Sequence, residues 1–180
     1  MIISKEKYWK RVRKEEQRKN FFLIYLDEVC LKSDNGHKLK LSEQLANEIV
    51  REWSADGKIS DIKNSFFTKF CFSATDTTEK DREVILNSLV DYGNCDPICY
   101  IASEPTKLNM RQEKLYKPLI DWAEKFFSIK LNIGTGLLFI EQPSLNADLI
   151  KKYLEDFDNF HLIAIYELTK SLGSLFTCLA

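Results

Sequence analysis

A chain of 180 residues, 44% hydrophobic and 29% charged, has the composition of one large soluble domain or two small ones. Its formal net charge of -1 argues against a general nucleic-acid or anionic-membrane binder, which needs a clear basic excess. No apolar run reaches the roughly 18 residues that a membrane-spanning helix requires, so no membrane insertion is predicted.

The first 20 residues are basic but carry Glu6, Glu15 and Glu16. They lack the apolar centre and small-residue exit of a secretory signal, and they fit poorly with an acid-poor mitochondrial leader. The expected address is therefore a bacterial cytoplasm, with the mitochondrial matrix second. Residues 5–19 are charge-rich, with Tyr8, Trp9 and Val12 as anchors. They read as a solvated segment or as a basic arm from Lys5 to Lys19, and the mixed signs favour the first. Phe21–Leu26 is a strong strand and Val29–Lys32 a weaker one, with Asp27-Glu28 as the turn between them. Asp34-Asn35-Gly36 is a second turn, and Lys38–Leu41 alternates as a half-buried strand.

Ser42 then caps a helix whose inner face is Leu45, Ile49 and Trp53, ending near Gly57. Residues 59–73, with Phe66, Phe67, Phe70 and Phe72, suit either a buried strand or a helix. From Asp76 onward the pattern is helical. Val84, Ile85, Leu89 and Val90 form a stripe that Gly93 ends. Ile98–Ile101 is extended between Pro97 and Pro105. Leu108, Leu115, Leu119, Trp122 and Phe126 follow at helical spacing, with Pro118 expected to kink that helix or start a second one. On pattern alone this stripe is the core of a small domain. Ile129–Ile133 is a short extended piece, and Gly134-Thr135-Gly136 is a flexible turn without the frame of a phosphate loop. Leu137–Ile140 is apolar, and Pro143-Ser144 starts a helix through Asp156. Asn159 caps a last helix that runs apolar to Leu179, which suggests a chain shortened at its C-terminus or covered by a partner.

The fold class is accordingly α+β, with a small antiparallel β-containing N-terminal lobe (residues 1–75) followed by a mainly α-helical, orthogonal-bundle lobe (residues 76–180). No catalytic constellation stands out. There is no Gly-x-Ser-x-Gly elbow, and His37 and His161 have no motif context. The five cysteines have no framework spacing and read as reduced thiols, without the four ligands of a structural zinc site. No metal and no cofactor is expected. Two further readings remain on residues alone. One is a small thiol-dependent enzyme using Cys95 or Cys99; the other is an anion- or nucleic-acid-binding module using the basic N-terminal segment.

The order of motifs carries more. KYWKRV, FFLIYLDEVCLKSDNGHKLKLSEQLANEIVREW, CDPICYIASEPTKL, RQEKLYKPLIDWAEKFF and TGLLFIEQP, in that succession, closely resemble the Atp12 family of F1-ATPase assembly chaperones. Glu52-Trp53, Ile98-Cys99-Tyr100, Asp121-Trp122-Ala123 and Gln142-Pro143 stand where that family has them. Two features depart from the pattern. Tyr116-Lys117 replaces a Trp-Asp pair before Pro118, and the family's final acidic helical segment does not follow. The resemblance implies a protein that is not an enzyme and that holds the unassembled α subunit of F1-ATPase, shielding the surface destined for the β subunit. Oligomeric state is left open. Aromatic anchors carry most energy at such interfaces. On the resemblance, the candidate partner-binding residues are Trp53, Phe67, Tyr116, Trp122 and Gln142, although the large rings suit core positions as well.

Overall fold

The protein is described by a computed structural model covering residues 7–18, 20–136 and 138–180. The expectations placed on residues 5, 6, 19 and 137 lie outside the described residues. By internal contacts the chain divides into two compact units, one ending at Thr78 and one running from Glu79 to Ala180.

The N-terminal unit contains an antiparallel sheet in the order β1-β2-β3, with β1 Val12–Arg18, β2 Phe21–Leu26 and β3 Val29–Cys30. β1 lies where a solvated charge-rich segment was expected. It has no apolar alternation, and its long side chains cover aromatic rings instead. Arg13 lies 4.7 Å from the Tyr25 ring centre and Lys14 lies 4.9 Å from that of Phe22. The aliphatic stems replace apolar residues while the charged heads stay wet. Lys14 also pairs with Glu43 at 2.7 Å. The strand expected at Lys38–Leu41 is reduced to isolated bridges, Lys32 with Lys38 and Phe22 with Leu41.

Three helices complete this unit: α1 Glu43–Ser54, α2 Ile59–Lys63 and α3 Phe66–Asp76. Ser42 caps α1 as its residue type dictates. The ambiguous Phe-rich stretch is helical, and its first amides are satisfied from a distance. The Glu52 carboxylate accepts from the Phe67 and Thr68 amides at 2.9 and 2.7 Å and from the Thr68 hydroxyl at 2.6 Å. Trp53 lies beneath, donating its indole N–H to Thr68 at 2.9 Å, while Trp9 donates to the Trp53 carbonyl at 3.0 Å. A carboxylate from a neighbouring helix thus fixes where α3 begins, which no local cap at Ser65 could do.

The C-terminal unit holds five helices: α4 Glu79–Asn94, α5 Thr106–Phe127, α6 Ser144–Glu155, α7 Asn159–Leu172 and α8 Leu175–Leu179. Its core gathers Leu86, Leu89, Ile98, Phe127, Ile150, Leu154, Leu162 and Phe176. Gly93 lies inside the last turn of α4 rather than ending it. A Cβ there would meet Ile150 and Leu175 side chains at 3.2 and 3.3 Å, so glycine lets the helices close up. Pro118 neither ends α5 nor divides it into two helices, since one helix of 22 residues runs through it. The expected single last helix is interrupted. Gly173, at φ 71°, caps α7, and α8 folds Leu175 and Phe176 into the core.

Asp96 makes that fold-back possible. It is fully buried and accepts from the Ile98 amide at 3.2 Å, the Phe176 amide at 3.0 Å and the Ser174 hydroxyl at 2.8 Å. Residues Pro97–Cys99 form one 3-10 turn where an extended run was expected to start. After it, β4 (Tyr100–Ile101) pairs in parallel with β5 (Gly134–Thr135), so the Gly-Thr-Gly stretch is partly strand rather than a free turn. Burial pushes the Asp96 carboxyl above the usual carboxylate range, against the pull of these donors.

Two outcomes follow from these polar anchors. Asp96→Ala orphans the Ile98 and Phe176 amides inside the core and leaves the Ser174 hydroxyl with Thr177 alone, and should lower the unfolding free energy by roughly 3 kcal/mol in denaturant titrations. In the N-terminal unit, burial opposes ionisation of Asp76, but bonds from Ser33, His37 and Asn35 outweigh it and hold its carboxyl below the ordinary value. A depressed folded value contributes stability above the unfolded value and loses it as pH falls through the folded one. Asp76→Asn should therefore lower the melting temperature at neutral pH, and the gap to wild type should close on acidification.

Candidate functional site

α5 turns its apolar stripe the wrong way for a core helix. Only Ala123 and Phe127 of its 22 residues are buried. Of the residues expected to form the inner face, three lie outside it, Leu108 at 42% exposed, Leu115 at 54% and Phe126 at 49%, while Leu119 and Trp122 are half-buried and pack against the core. At about 100° per residue these five side chains fall within a strip roughly 60° wide along the whole helix. Such a strip on a free surface costs solubility unless something covers it.

Neighbouring bonds fix the helix in this setting. At its N-terminal end Gln112 Oε1 accepts the Ala102 amide at 2.7 Å, and Asn109 Nδ2 donates to the Ala102 carbonyl at 2.9 Å. Near the other end Glu124 accepts the Leu131 amide at 2.9 Å. Burial opposes ionisation of Glu124, but that amide and the Lys130 ammonium prevail and hold its carboxyl below the ordinary value. Phe127 then packs edge-on against Tyr153 and Phe176, with ring centres 5.2 and 6.0 Å away.

The strip continues as a ladder of rings onto the next helices. Trp122 stacks on Phe126 at 5.2 Å, Phe126 meets Tyr153 at 5.2 Å, Tyr153 meets Phe157 at 5.3 Å, and Phe157 lies 6.1 Å from His161. Arg82 stabilises the loop that carries Phe157, donating to the Glu155 carbonyl at 2.7 Å, to the Phe157 carbonyl and to Asn159. A second apolar projection is the loop after β5, where Leu138 and Phe139 are 83% and 71% exposed.

The five residues singled out from the sequence separate in space. Trp53 is 2% exposed and committed to Thr68, and Gln142 is buried, exchanging two bonds with the Asn132 backbone at 2.9 and 3.0 Å. Both side chains are buried. Phe67 is half-buried on the wall of an open cleft of about 410 Å³ in the N-terminal unit, beside Glu48, Arg51 and Asp61. Tyr116 and Trp122 are half-buried on α5, and of the five only these two share an element. Sequence reasoning missed Phe139 and Leu138 because an apolar loop looks like a strand end. It assigned Leu115 and Phe126 to the core because periodicity shows that a face exists, not which way it points.

Of the two thiols read as candidates for catalysis, Cys99 is buried and Cys95 exposed. Burial pushes both Cys71 and Cys99 up to about 12, so Cys99 is no thiolate near neutral pH. Cys95 is exposed and free.

A sheet-bearing first unit and a helical second unit with an uncovered apolar helix face define a protein built to bind another surface. Comparison with known proteins agrees. The model of the ATP12 chaperone protein family matches residues 6–124. Atp12 from Paracoccus denitrificans has a solved structure that superposes with a TM-score of 0.86 at 28% identity, covering 97% of this chain and 75% of that one. A single-substitution variant of P. denitrificans Atp12p gives 0.85 at 27% identity with the same coverage. The Atu1473 protein from Agrobacterium tumefaciens, at 22% identity, shares the fold with a TM-score of 0.81 over 97% of this chain and 66% of its own. The chain belongs to the ATP12 chaperone family.

The orientation of α5 is testable by stability alone. Leu115→Asp should change the unfolding free energy by no more than about 0.5 kcal/mol, because the side chain is already wet. Phe127→Ala should cost about 3–5 kcal/mol by denaturant titration.

Proposed function

We propose that this protein is an assembly chaperone for the F1 sector of ATP synthase that binds the unassembled α subunit and shields its β-subunit-facing surface. The single observation that supports this best is the apolar strip on α5 that leaves Leu108, Leu115 and Phe126 exposed, with Leu119 and Trp122 half-buried between them, in a member of a chaperone family. An orphan subunit exposes an apolar face that aggregates, and a partner with a matching apolar face covers it reversibly by burial alone. Trp122 in the strip and Tyr116 beside it supply the large rings that dominate such interfaces. Phe67 is a second contact candidate on the N-terminal unit, while Trp53 and Gln142 serve the fold. The reading needs no cofactor and no covalent step. Its setting is a bacterial cytoplasm, and no helix among the described residues is long and apolar enough to cross a membrane.

Co-purification tests it. Tagged wild-type protein should retain free F1 α subunit through gel filtration and should not retain free β subunit. Trp122→Ala and Phe126→Ser should weaken retention at least about tenfold. Equal retention of both subunits, or of neither by a folded sample, would sink the proposal.

A further inference from the structure

The apolar strip of α5 has charge along one border only. Lys107, Arg111 and Lys114 lie about 90° around the helix from Leu108, Leu115 and Phe126. All three are exposed, and none bonds to a described residue. Elsewhere on the helix Lys117 lies 3.6 Å from Asp121 and Glu124 3.0 Å from Lys130, while Glu113 and Lys125, like the three, bond to no described residue. The opposite border is closed by Asn109 and Gln112, held to Ala102.

Two features make this row unfavourable in the free protein. Lys107 to Arg111 and Arg111 to Lys114 are like-charge pairs at i,i+4 and i,i+3, which repel on a helix surface. The row also begins in the first turn, where no acidic residue answers the positive end of the helix dipole. Both costs are relieved by carboxylates arriving from outside. We propose that the strip receives an amphipathic helical segment of the client, with its apolar face edged by Asp or Glu on the side that meets Lys107, Arg111 and Lys114. This rests on the client-binding reading above and adds the client's chemistry and direction. Exposed ion pairs contribute little one by one, but three on one border reject the reversed orientation and speed encounter. A bilayer surface fits less well, because an interfacial helix is served by cations on both borders of its apolar face.

The test is charge reversal, read as affinity. The triple variant Lys107→Glu, Arg111→Glu, Lys114→Glu should fold with a wild-type melting temperature, since none of these side chains has a bond to lose. Its affinity for free F1 α subunit should fall about tenfold or more at low salt, with the difference shrinking as salt screens the pairs. Affinity within twofold of wild type, while Leu115→Asp abolishes capture, would overturn the charged border and leave the strip. If wild type itself does not capture the subunit, two designed helical peptides decide. They carry the same Leu and Phe face, one edged by Glu and one by Lys. Tighter binding of the Glu-edged peptide, by about tenfold, supports the inference, and equal binding defeats it. Two other results overturn it: self-association of wild type lost in Leu115→Asp, with no peptide bound, or sedimentation with phosphatidylserine vesicles and not with peptide.

Discussion

The rotational setting of α5 is the constraint from which the surface follows. A helix with five apolar residues in one strip would ordinarily bury that strip, gaining about 25 cal/mol for each Å² removed from water. Here the adjoining face is held inward by Asn109 and Gln112 on Ala102, by Glu124 on the Leu131 amide, and by Phe127 against Phe176. Turning the helix to bury Leu115 would leave those backbone groups unpaired and would empty the Phe127 site. The Ala102 and Leu131 amides would each lose about 1–3 kcal/mol, on top of the burial lost at Phe127.

That setting depends on a core that closes with Leu119 and Trp122 packed at its edge and with Leu108, Leu115 and Phe126 left outside. Asp96 achieves this by tying the 3-10 turn at Pro97 to the start of α8, which brings Leu175 and Phe176 into the place a longer helix would leave empty. Gly93 allows the approach, and Arg82 holds the loop between α6 and α7. The core is thus filled by residues near the end of the chain, and the strip stays available. A buried carboxylate with its bonds satisfied is a polar network that specifies one arrangement.

The N-terminal unit uses the same device with other residues. Glu52 caps α3 from α1, Trp9 donates to the Trp53 carbonyl and Trp53 to the Thr68 hydroxyl, and Asp27 accepts the Lys10 and Arg11 amides at 3.1 and 2.8 Å. Trp53 is conspicuous in the sequence because it is large, yet its indole is spent on Thr68. Aromatic size alone therefore does not separate a binding residue from an anchor; the hydrogen bond does.

Local pattern by itself determined β2, α1, α4 and α6, because their apolar period, caps and turn residues act over a few neighbouring positions. Motif order determined the family, and spacing showed that Leu108 to Phe126 share one face. Tertiary structure decided that Leu108, Leu115 and Phe126 of this face look outward, that β1 forms from charged side chains lying over Tyr25 and Phe22, that Gly173 turns α8 into the core, and that Trp53 and Gln142 are buried. Each of these depends on a partner far along the chain, as Glu52 does for α3 and Asp96 for α8. Periodicity reports the shape of one element, and the side it buries is set by whichever neighbour satisfies its backbone and fills its cavity.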